Sequence, residues 1–164
     1  KAKDVKEEFG NKIKYILDGG ACAIGIESTI VNLIGRPSIL RLGGLDILKI
    51  QKTLGFKISI SINPKKKIAP GQSRLHYSPG IPLRMNVTRP KNDEAFIIIK
   101  KKKTQHKNNF YLTTKNNLVE AAKNLYSCLR KIKNQGYKSI AVEKIPNKGL
   151  GKAINDRLER ASKF

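Results

Sequence analysis

The chain has 164 residues, 39% of them hydrophobic, which is enough for one domain or two small ones with a buried core. That composition excludes a disordered chain. Lysine and arginine number 34 against 12 acidic residues, a formal net charge of +22 that attracts nucleic acids, nucleotides and other anions. The composition therefore predicts a globular and strongly basic protein.

Two features of the sequence bear on its compartment. No apolar run approaches the ~20 residues of a membrane span, and the first residues contain no apolar segment of a secretory signal. Cys22 and Cys128 have no metal-binding or redox spacing, so we expect both to be small buried side chains in a reducing compartment. We therefore expect a cytoplasmic protein with no membrane partner.

Short helices and strands are predicted to alternate over residues 1–62. The spacing of Val5 and Phe9 predicts a helix that ends at Gly10. Strands are predicted at 13–17, 24–31, 38–42 and 56–62, and a helix at 45–54 with Leu45, Leu48 and Leu54 near one face. A turn at 35–37 joins two of these strands.

The predicted strand 24–31 carries three consecutive polar side chains, Glu27, Ser28 and Thr29. A buried polar group without a partner costs about 1–3 kcal/mol, so in a buried strand these groups need partners. Alternation along a strand puts Ser28 on one face and the other two on the opposite face. One face can line a site; the alternative is an edge strand whose Ser and Thr are solvated.

Residues 63–82 form a predicted connector rich in proline, with a lysine run at 65–67. Prolines at this density favour an extended, semi-rigid chain. The segment also carries four potential ligand groups, which are Ser73, Arg74, His76 and Tyr77. Because a simple tether needs only polarity, proline and glycine, these side chains indicate a functional loop.

Residues 83–164 are predicted to form a small α/β unit. Strands are expected at 83–87, 94–100, 110–112 and 139–142, and helices at 118–133 and near 151–162. Asn117 and Glu120 have the spacing of a capping box at the first of these helices. A basic turn is expected at 101–109, and the lysine run at 100–103 is interpreted as a solvated loop, with contact to nucleic acid as the alternative.

Five landmarks in order resemble the two-domain form of the threonylcarbamoyl-AMP synthases, over nearly the whole chain. They are Asp18-Gly19-Gly20 with the 25–31 run Gly-Ile-Glu-Ser-Thr-Ile-Val, Leu40-Arg41-x-Gly43, Ala69-Pro70-Gly71, His76-Tyr77-Ser78-Pro79, and the 149–158 run Gly-Leu-Gly-Lys-Ala-Ile-Asn-Asp-Arg-Leu. Each motif alone has little specificity, whereas the five in this order and spacing indicate the family.

The resemblance implies an α/β protein in three parts. Residues 1–62 would be the end of an incomplete, twisted α/β YrdC-like catalytic domain, 63–82 a linker that folds over its cavity as a lid, and 83–164 a small Rossmann-like domain. The family joins ATP, L-threonine and bicarbonate into threonylcarbamoyl-AMP and releases pyrophosphate, for threonylcarbamoyladenosine modification of tRNA. It also implies Mg²⁺ accompanying ATP, and tRNA or tRNA-modification proteins as partners.

The resemblance assigns roles to four residues of this chain. Ser28 matches the residue that contacts the substrate threonine, and Arg41 matches the arginine that holds a nucleotide phosphate. His76 and Tyr77 match the linker segment that closes over the nucleotide. No catalytic residue and no metal ligand is assigned.

The chain departs from the family pattern in two places. Leu42 follows Arg41 where the family usually has proline, a change that leaves the role of the arginine intact. The family's Lys-x-Arg and Ser-x-Asn motifs, which hold the ATP phosphates, are not found in this sequence. Residues 61–63 read Ser-Ile-Asn, but this short string at the start of the linker is interpreted as a chance match. We therefore expect the C-terminal portion of a synthase, inactive by itself.

Two alternatives stay open. The charge of +22 favours a basic RNA-binding module without catalysis. The small number of aromatic residues, with five Tyr, five Phe and no Trp, and the lack of an RRM or KH signature count against it. The other alternative is an inactive remnant of a synthase.

Overall fold

A computed structural model describes residues 1–73, 76–100 and 106–163 and has the predicted α/β class. Its elements are α1 (Ala2–Phe9), a 3₁₀ turn (Gly10–Lys12), β1 (Ile30–Asn32), β2 (Ser38–Arg41), α2 (Ile47–Leu54), β3 (Ser59–Ile60), β4 (Leu83–Arg84), β5 (Ala95–Lys100), β6 (Asn109–Thr113), α3 (Leu118–Asn134), β7 (Ile140–Val142) and α4 (Leu150–Ala161). The strands form two separate sheets.

The first sheet has the order β1-β2-β3. β1 and β2 are antiparallel and are joined through the predicted turn at 35–37, whereas β2 and β3 are parallel. Helix α2 begins at Asp46, whose carboxylate accepts a hydrogen bond from the Leu48 amide at 3.0 Å. It ends at Gly55, which has the left-handed conformation that glycine adopts without strain.

One predicted strand is wrong and three are too long; of the predictions at 56–62 and 83–87, only 59–60 and 83–84 are strand. Residues 13–17 form no strand, and Tyr15 and Leu17 are 77% and 97% exposed, because no described strand lies beside them to pair with. Of the predicted 24–31 strand only Ile30 and Val31 are extended. Gly25 has φ +80°, and its backbone packs so closely on Lys123 of α3 that a Cβ would lie 2.5 Å from the Lys123 Cα.

The predicted apolar face of α2 is also corrected. Leu45 precedes the helix, and both Leu45 and Leu48 are exposed, whereas Ile47 and Ile50 are buried. Ile47 and Ile50 belong to the core cluster that also contains Ile39 of the first sheet, and their burial there leaves Leu45 and Leu48 facing solvent. Periodicity alone did not distinguish these two faces.

The second sheet is fully parallel, with the order β4-β7-β5-β6. Alternate residues of β5 enter the large core with α3 and α4, while Phe96 and Ile98 belong to a smaller cluster on the opposite side. Burial on both faces is usual for parallel strands and explains the near-continuous apolar run of β5. The predicted basic turn at 101–109 lies partly outside the described residues, which omit 101–105.

Helix α3 confirms the predicted cap and apolar stripe. The Asn117 side chain accepts hydrogen bonds from the amides of Val119 and Glu120, and Leu125, Leu129 and Ile132 are buried. Glu120 does not close the capping box, because its carboxylate accepts hydrogen bonds from Thr113 and Thr114 at the end of β6.

The two cysteines differ from each other. Cys128 of α3 is buried as expected, and burial raises the pKa of its thiol to about 12. Cys22 is exposed, so the expectation for it is wrong; it lies in an irregular stretch before Gly25 that packs few side chains. Within the described part of the chain, no helix has the length and apolarity to cross a membrane.

Replacing Leu125 tests the packing of α3 on the parallel sheet. Leu125 is fully buried, so Leu125→Ala is expected to lower the free energy of unfolding by about 2–5 kcal/mol. Val119, on the same helix, is 51% exposed, and Val119→Ala should change stability by no more than about 0.5 kcal/mol. Urea unfolding followed by circular dichroism measures both; equal effects would contradict the described burial of this helix.

Candidate functional site

Ser28 and Arg41 lie together at the carboxyl end of β2. The Arg41 Nε donates to the Ser28 carbonyl oxygen at 3.0 Å, and its Nη2 donates to the Ser28 hydroxyl at 3.1 Å. Its Nη1 reaches the Pro70 carbonyl oxygen of the linker at 3.5 Å, the limit of a hydrogen bond. The structure therefore brings the two sequence-predicted residues into direct contact.

Gly43 and Gly44 allow the main chain after β2 to lie directly against the main chain of residues 27–29. A Cβ on Gly43 would lie 2.3 Å from the Ser28 carbonyl carbon, so the two main chains approach each other without room for a side chain. The Gly44 amide donates to the Glu27 carbonyl oxygen at 2.9 Å. The Thr29 hydroxyl donates to the Leu45 carbonyl oxygen at 2.7 Å and accepts from the Leu45 amide at 3.2 Å.

The Glu27 side chain points away from this pair and towards the second sheet's helices. Its Oε2 accepts from Arg157 Nε at 3.1 Å and from Arg157 Nη2 at 2.9 Å, and the Tyr126 hydroxyl lies 3.2–3.3 Å from both carboxylate oxygens. The polar run at 27–29 thus has protein partners for all three side chains, in an irregular segment instead of a strand or solvated edge.

Sequence reasoning assigned no role to Arg157 and Arg160 of α4. Arg157 is 1% exposed, and its remaining Nη1 donates to Asp156 Oδ2 at 2.7 Å. Asp156 Oδ1 in turn accepts from Arg160 Nε at 3.1 Å. The spacing of Asp156 and Arg160 on one helix face could have predicted their ion pair, but no local pattern predicts the contact of Arg157 with Glu27, 130 residues away.

The linker residues His76 and Tyr77 lie beside this network. The Tyr77 ring stacks on Tyr126 with centroids 5.7 Å apart, and the Arg157 guanidinium lies 5.1 Å from the Tyr77 ring centroid. The His76 ring is 3.9 Å from the Tyr77 ring, edge to face. Tyr77 has φ +63°, an uncommon conformation for a residue other than glycine, which its packing here stabilises.

The linker passes between Tyr77 and Arg41 at Gly71. A Cβ on Gly71 would lie 2.9 Å from the Tyr77 hydroxyl and 3.0 Å from Arg41 Cδ. The four residues that the resemblance selected, which are Ser28, Arg41, His76 and Tyr77, therefore meet around one point of the linker. Arg74, also named as a potential ligand group, lies outside the described residues.

Gln72 holds the linker on the first sheet. It is buried, and its Nε2 donates to the carbonyl oxygens of Leu40 at 3.1 Å and Ser61 at 3.3 Å. Its Oε1 accepts from the amides of Ile68 at 2.9 Å and Ala69 at 3.0 Å. Sequence reasoning missed this residue, since a single glutamine in a polar segment gives no signal of burial.

The environment shifts several pKa values at the site. Burial raises the Glu27 pKa, but the charge of Arg157 and the hydrogen bonds to the carboxylate together outweigh burial and lower the net pKa, so Glu27 is ionised at neutral pH. Burial and the charge of Glu27 raise the Tyr77 pKa to about 12 and also raise the Tyr126 pKa. Burial lowers the His76 pKa, which leaves the imidazole neutral at pH 7.

Charge is distributed unequally among the arginines of this site. Arg157 is paired with Glu27 and Asp156, and Arg160 with Asp156. The oxygens that Arg41 contacts belong to a hydroxyl and to main-chain carbonyls, none of which is charged. The positive charge of Arg41 is therefore available to an anionic ligand, and its guanidinium is already oriented.

The acid sensitivity of the protein tests the Glu27–Arg157 ion pair. Because the folded-state pKa of Glu27 is lowered, its contribution to stability is present above the ordinary value of 4.5 and is lost as the pH falls through the lower folded value. Glu27→Gln should be less stable than wild type at pH 7, and the difference should shrink on acidification to pH 3.

Urea unfolding at a series of pH values measures this difference. The control is Glu7→Gln in α1, whose exposed ion pair with Lys3 contributes little, so that this variant should retain the wild-type pH dependence. A stability difference between wild type and Glu27→Gln that does not change with pH would contradict the described ion pair.

Two family profiles match consecutive parts of the chain. A profile described as "Telomere recombination" matches residues 1–43, and "Threonylcarbamoyl-AMP synthase, C-terminal domain" matches residues 44–163. Threonylcarbamoyl-AMP synthase of Pyrococcus abyssi is 34% identical over 188 residues, which cover 99% of this chain and 53% of the relative. That of Schizosaccharomyces pombe is 31% identical over 195 residues, covering 98% and 48%.

Solved structures of the Pyrococcus abyssi protein Sua5 have the same fold. The crystal structure of its complex with L-threonine superposes with a TM-score of 0.82 and 31% identity, covering 98% of this chain and 53% of that chain. A variant in which neighbouring His and Tyr residues are replaced by alanine has a TM-score of 0.77 and 28% identity, covering 98% and 52%. The chain spans about half the length of the curated relatives it matches. On the match over residues 44–163, the chain belongs to the threonylcarbamoyl-AMP synthase family.

Proposed function

We propose that this chain is the C-terminal portion of an L-threonylcarbamoyladenylate synthase acting in tRNA threonylcarbamoyladenosine modification. The reaction joins L-threonine and bicarbonate as a carbamate to the AMP part of ATP and releases pyrophosphate. In this proposal residues 1–62 end the catalytic domain, 63–82 form the lid and 83–164 form the second domain. Family membership and the arrangement around Arg41 support it.

The observation that carries the proposal is the oriented guanidinium of Arg41, which contacts Ser28 and has no ion pair with any carboxylate that the structure describes. The contact of Nη1 with the Pro70 carbonyl oxygen is long, at 3.5 Å. A ligand can therefore accept hydrogen bonds from the Nη1 N–H groups without breaking a strong existing hydrogen bond. A phosphate oxygen is the natural acceptor, because charge-assisted hydrogen bonds to arginine are strong and directional. Arg41 is therefore proposed to hold a phosphate of ATP or of the adenylate product.

Ser28 is proposed to bind the substrate threonine. Its hydroxyl oxygen accepts a hydrogen bond from Arg41 Nη2, which leaves its own proton free to be donated to a ligand oxygen. A threonine carboxylate beside Arg41 would meet both this donor and a positive charge. The Pyrococcus abyssi Sua5 crystallised with L-threonine supports threonine as the ligand class.

His76 and Tyr77 are proposed to close the site over the nucleotide. At neutral pH the Tyr77 hydroxyl is protonated and the His76 imidazole is neutral, so both side chains can donate a hydrogen bond without adding charge. The Tyr77 ring stacks on Tyr126 and the His76 ring packs edge to face on Tyr77, so that the rings form an apolar cover at the edge of the site. Such a cover would exclude water from a carbamate that hydrolyses easily.

Mg²⁺ is proposed to enter with ATP, held by the triphosphate. Among the described residues no group of three or more His, Cys, Asp or Glu side chains has the geometry of a metal site. Glu27, the carboxylate adjacent to Ser28, is already engaged by Arg157 and Tyr126. Mg²⁺ commonly keeps several waters and binds through substrate phosphates, which supports an ion carried by the nucleotide.

RNA binding without catalysis is the second candidate, favoured by the net charge of +22. Direct contact with tRNA is compatible with both candidates, and cytoplasmic location is proposed with the first. A salt series separates the candidates, since affinity dominated by RNA phosphates falls steeply with salt. If the chain binds ATP and threonine, and this binding is much less sensitive to salt, the result favours the synthase. If it binds neither ATP nor threonine, the result favours the RNA-binding module or an inactive remnant.

Removing the guanidinium of Arg41 is expected to weaken ATP binding about 10- to 100-fold, which corresponds to the ~1.5–3 kcal/mol of a hydrogen bond to a charged group. Isothermal titration calorimetry of Arg41→Ala measures this loss. Arg36→Ala, in the exposed turn between β1 and β2, removes the same charge away from the site and serves as the matched control. Unchanged ATP affinity in Arg41→Ala would remove this residue from the proposed site.

The 164-residue chain by itself is expected not to form threonylcarbamoyl-AMP. It contains no Lys-x-Arg phosphate-binding motif, and nucleotidyl transfer depends on cations positioned around the triphosphate. The rate should lie several powers of ten below that of a full-length synthase. Pyrophosphate release with ATP, threonine and bicarbonate measures it, with the Pyrococcus abyssi enzyme as positive control; comparable turnover would refute this account of the phosphate site.

A further inference from the structure

Arg160 of α4 connects the second sheet's unit to the start and the middle of the linker. Its Nη2 donates to the Ile62 carbonyl oxygen at 2.9 Å and to Asn63 Oδ1 at 3.0 Å, where the linker begins. Its Nη1 donates to the Ser73 carbonyl oxygen at 3.0 Å, in the middle of the linker. One guanidinium thus closes residues 62–73 into a loop.

Asp156 joins Arg160 to Arg157 on the same helix. Its two carboxylate oxygens each accept from a different arginine, Oδ1 from Arg160 and Oδ2 from Arg157. Arg157 then holds Glu27, the residue directly before Ser28, and lies over the Tyr77 ring. These three side chains of α4, which are Asp156, Arg157 and Arg160, are called the α4 triad below.

The α4 triad occupies a rigid position. Ile154, Leu158 and Ala161 of the same helix are fully buried in the core formed with α3 and the parallel sheet. Asp156, Arg157 and Arg160 are themselves almost fully buried, so their hydrogen bonds are protected from competing water. A helix that is anchored in this way can transmit its position to the linker and to Glu27.

We propose that the α4 triad positions the linker over the Ser28–Arg41 pair, with Arg160 holding the two ends of the loop and Arg157 holding Glu27 and Tyr77. The identity of the ligand in this inference rests on the proposed function. The contacts between the α4 triad and the linker do not. The members of the triad are positioning residues. The second domain therefore acts on substrate binding through its last helix, although it contributes neither Ser28 nor Arg41.

Hydrogen–deuterium exchange of the 164-residue chain without ligand tests the structural part. The amides of Ile68 and Ala69, which Gln72 holds, report on the linker, and those of β5 report on the fold. In Arg160→Met, linker exchange should rise about tenfold or more while β5 keeps its protection. Arg84→Met is the control, because Arg84 is paired with Glu94 in the same unit and makes no described contact with the linker.

Arg160→Lys covers the case in which Arg160→Met does not fold. Lysine keeps the charge facing Asp156 but lacks the fork that reaches Ile62, Asn63 and Ser73 together. It should therefore fold and give intermediate linker exchange. Wild-type linker exchange in every folded variant, or an equal increase in Arg84→Met, would overturn the proposal.

The affinity for ATP tests the coupling to the site. Arg160→Met, or Arg160→Lys if the former does not fold, should weaken ATP binding several-fold relative to wild type and to Arg84→Met, although Arg160 lies outside the proposed phosphate contact. A loosened linker with unchanged ATP affinity would overturn the coupling. If the wild-type chain binds neither ATP nor threonine, the proposed function fails, whereas the exchange experiment still decides whether the α4 triad holds the linker.

Discussion

The ion pair of Glu27 and Arg157 is the interaction on which the arrangement of the candidate site depends. A buried guanidinium costs several kcal/mol in lost hydration unless its donors are satisfied. Here Glu27 accepts from Nε and Nη2, Asp156 accepts from Nη1, and the Tyr126 hydroxyl lies against the Glu27 carboxylate. Because the partners come from opposite ends of the chain, satisfying Arg157 requires the segment before Ser28 to lie against α4.

That pairing also decides where positive charge is left available. The arginines of α4 are compensated by Glu27 and Asp156, whereas the oxygens that Arg41 contacts within the described ranges are uncharged. Most of the remaining basic residues are exposed lysines, which are flexible and hydrated. A guanidinium already held by Ser28 pays little further cost to bind an anion, since its orientation is fixed before the ligand arrives.

The linker is held by buried polar groups in place of an apolar core. Gln72 and Arg160 together bond carbonyl oxygens at its start, its middle and the strand beneath it. Gly71 lets the chain pass between Arg41 and Tyr77, where a side chain would collide with both. Such a segment can be well ordered and still open at modest cost, because few apolar contacts are lost when its hydrogen bonds exchange with water.

The sequence by itself determined the elements whose signals are local: the capped and striped helix α3, the apolar strand β5, the turn at 35–37 and the motifs of the family. Only the tertiary structure decided that 13–17 is not a strand, that Ile47 and Ile50 form the buried face of α2, and that Cys22 is exposed. It alone joined Arg157 to Glu27 and Arg160 to the linker. The physical reason is that strand pairing, helix rotation and buried ion pairs depend on partners distant in the chain, which no local periodicity encodes.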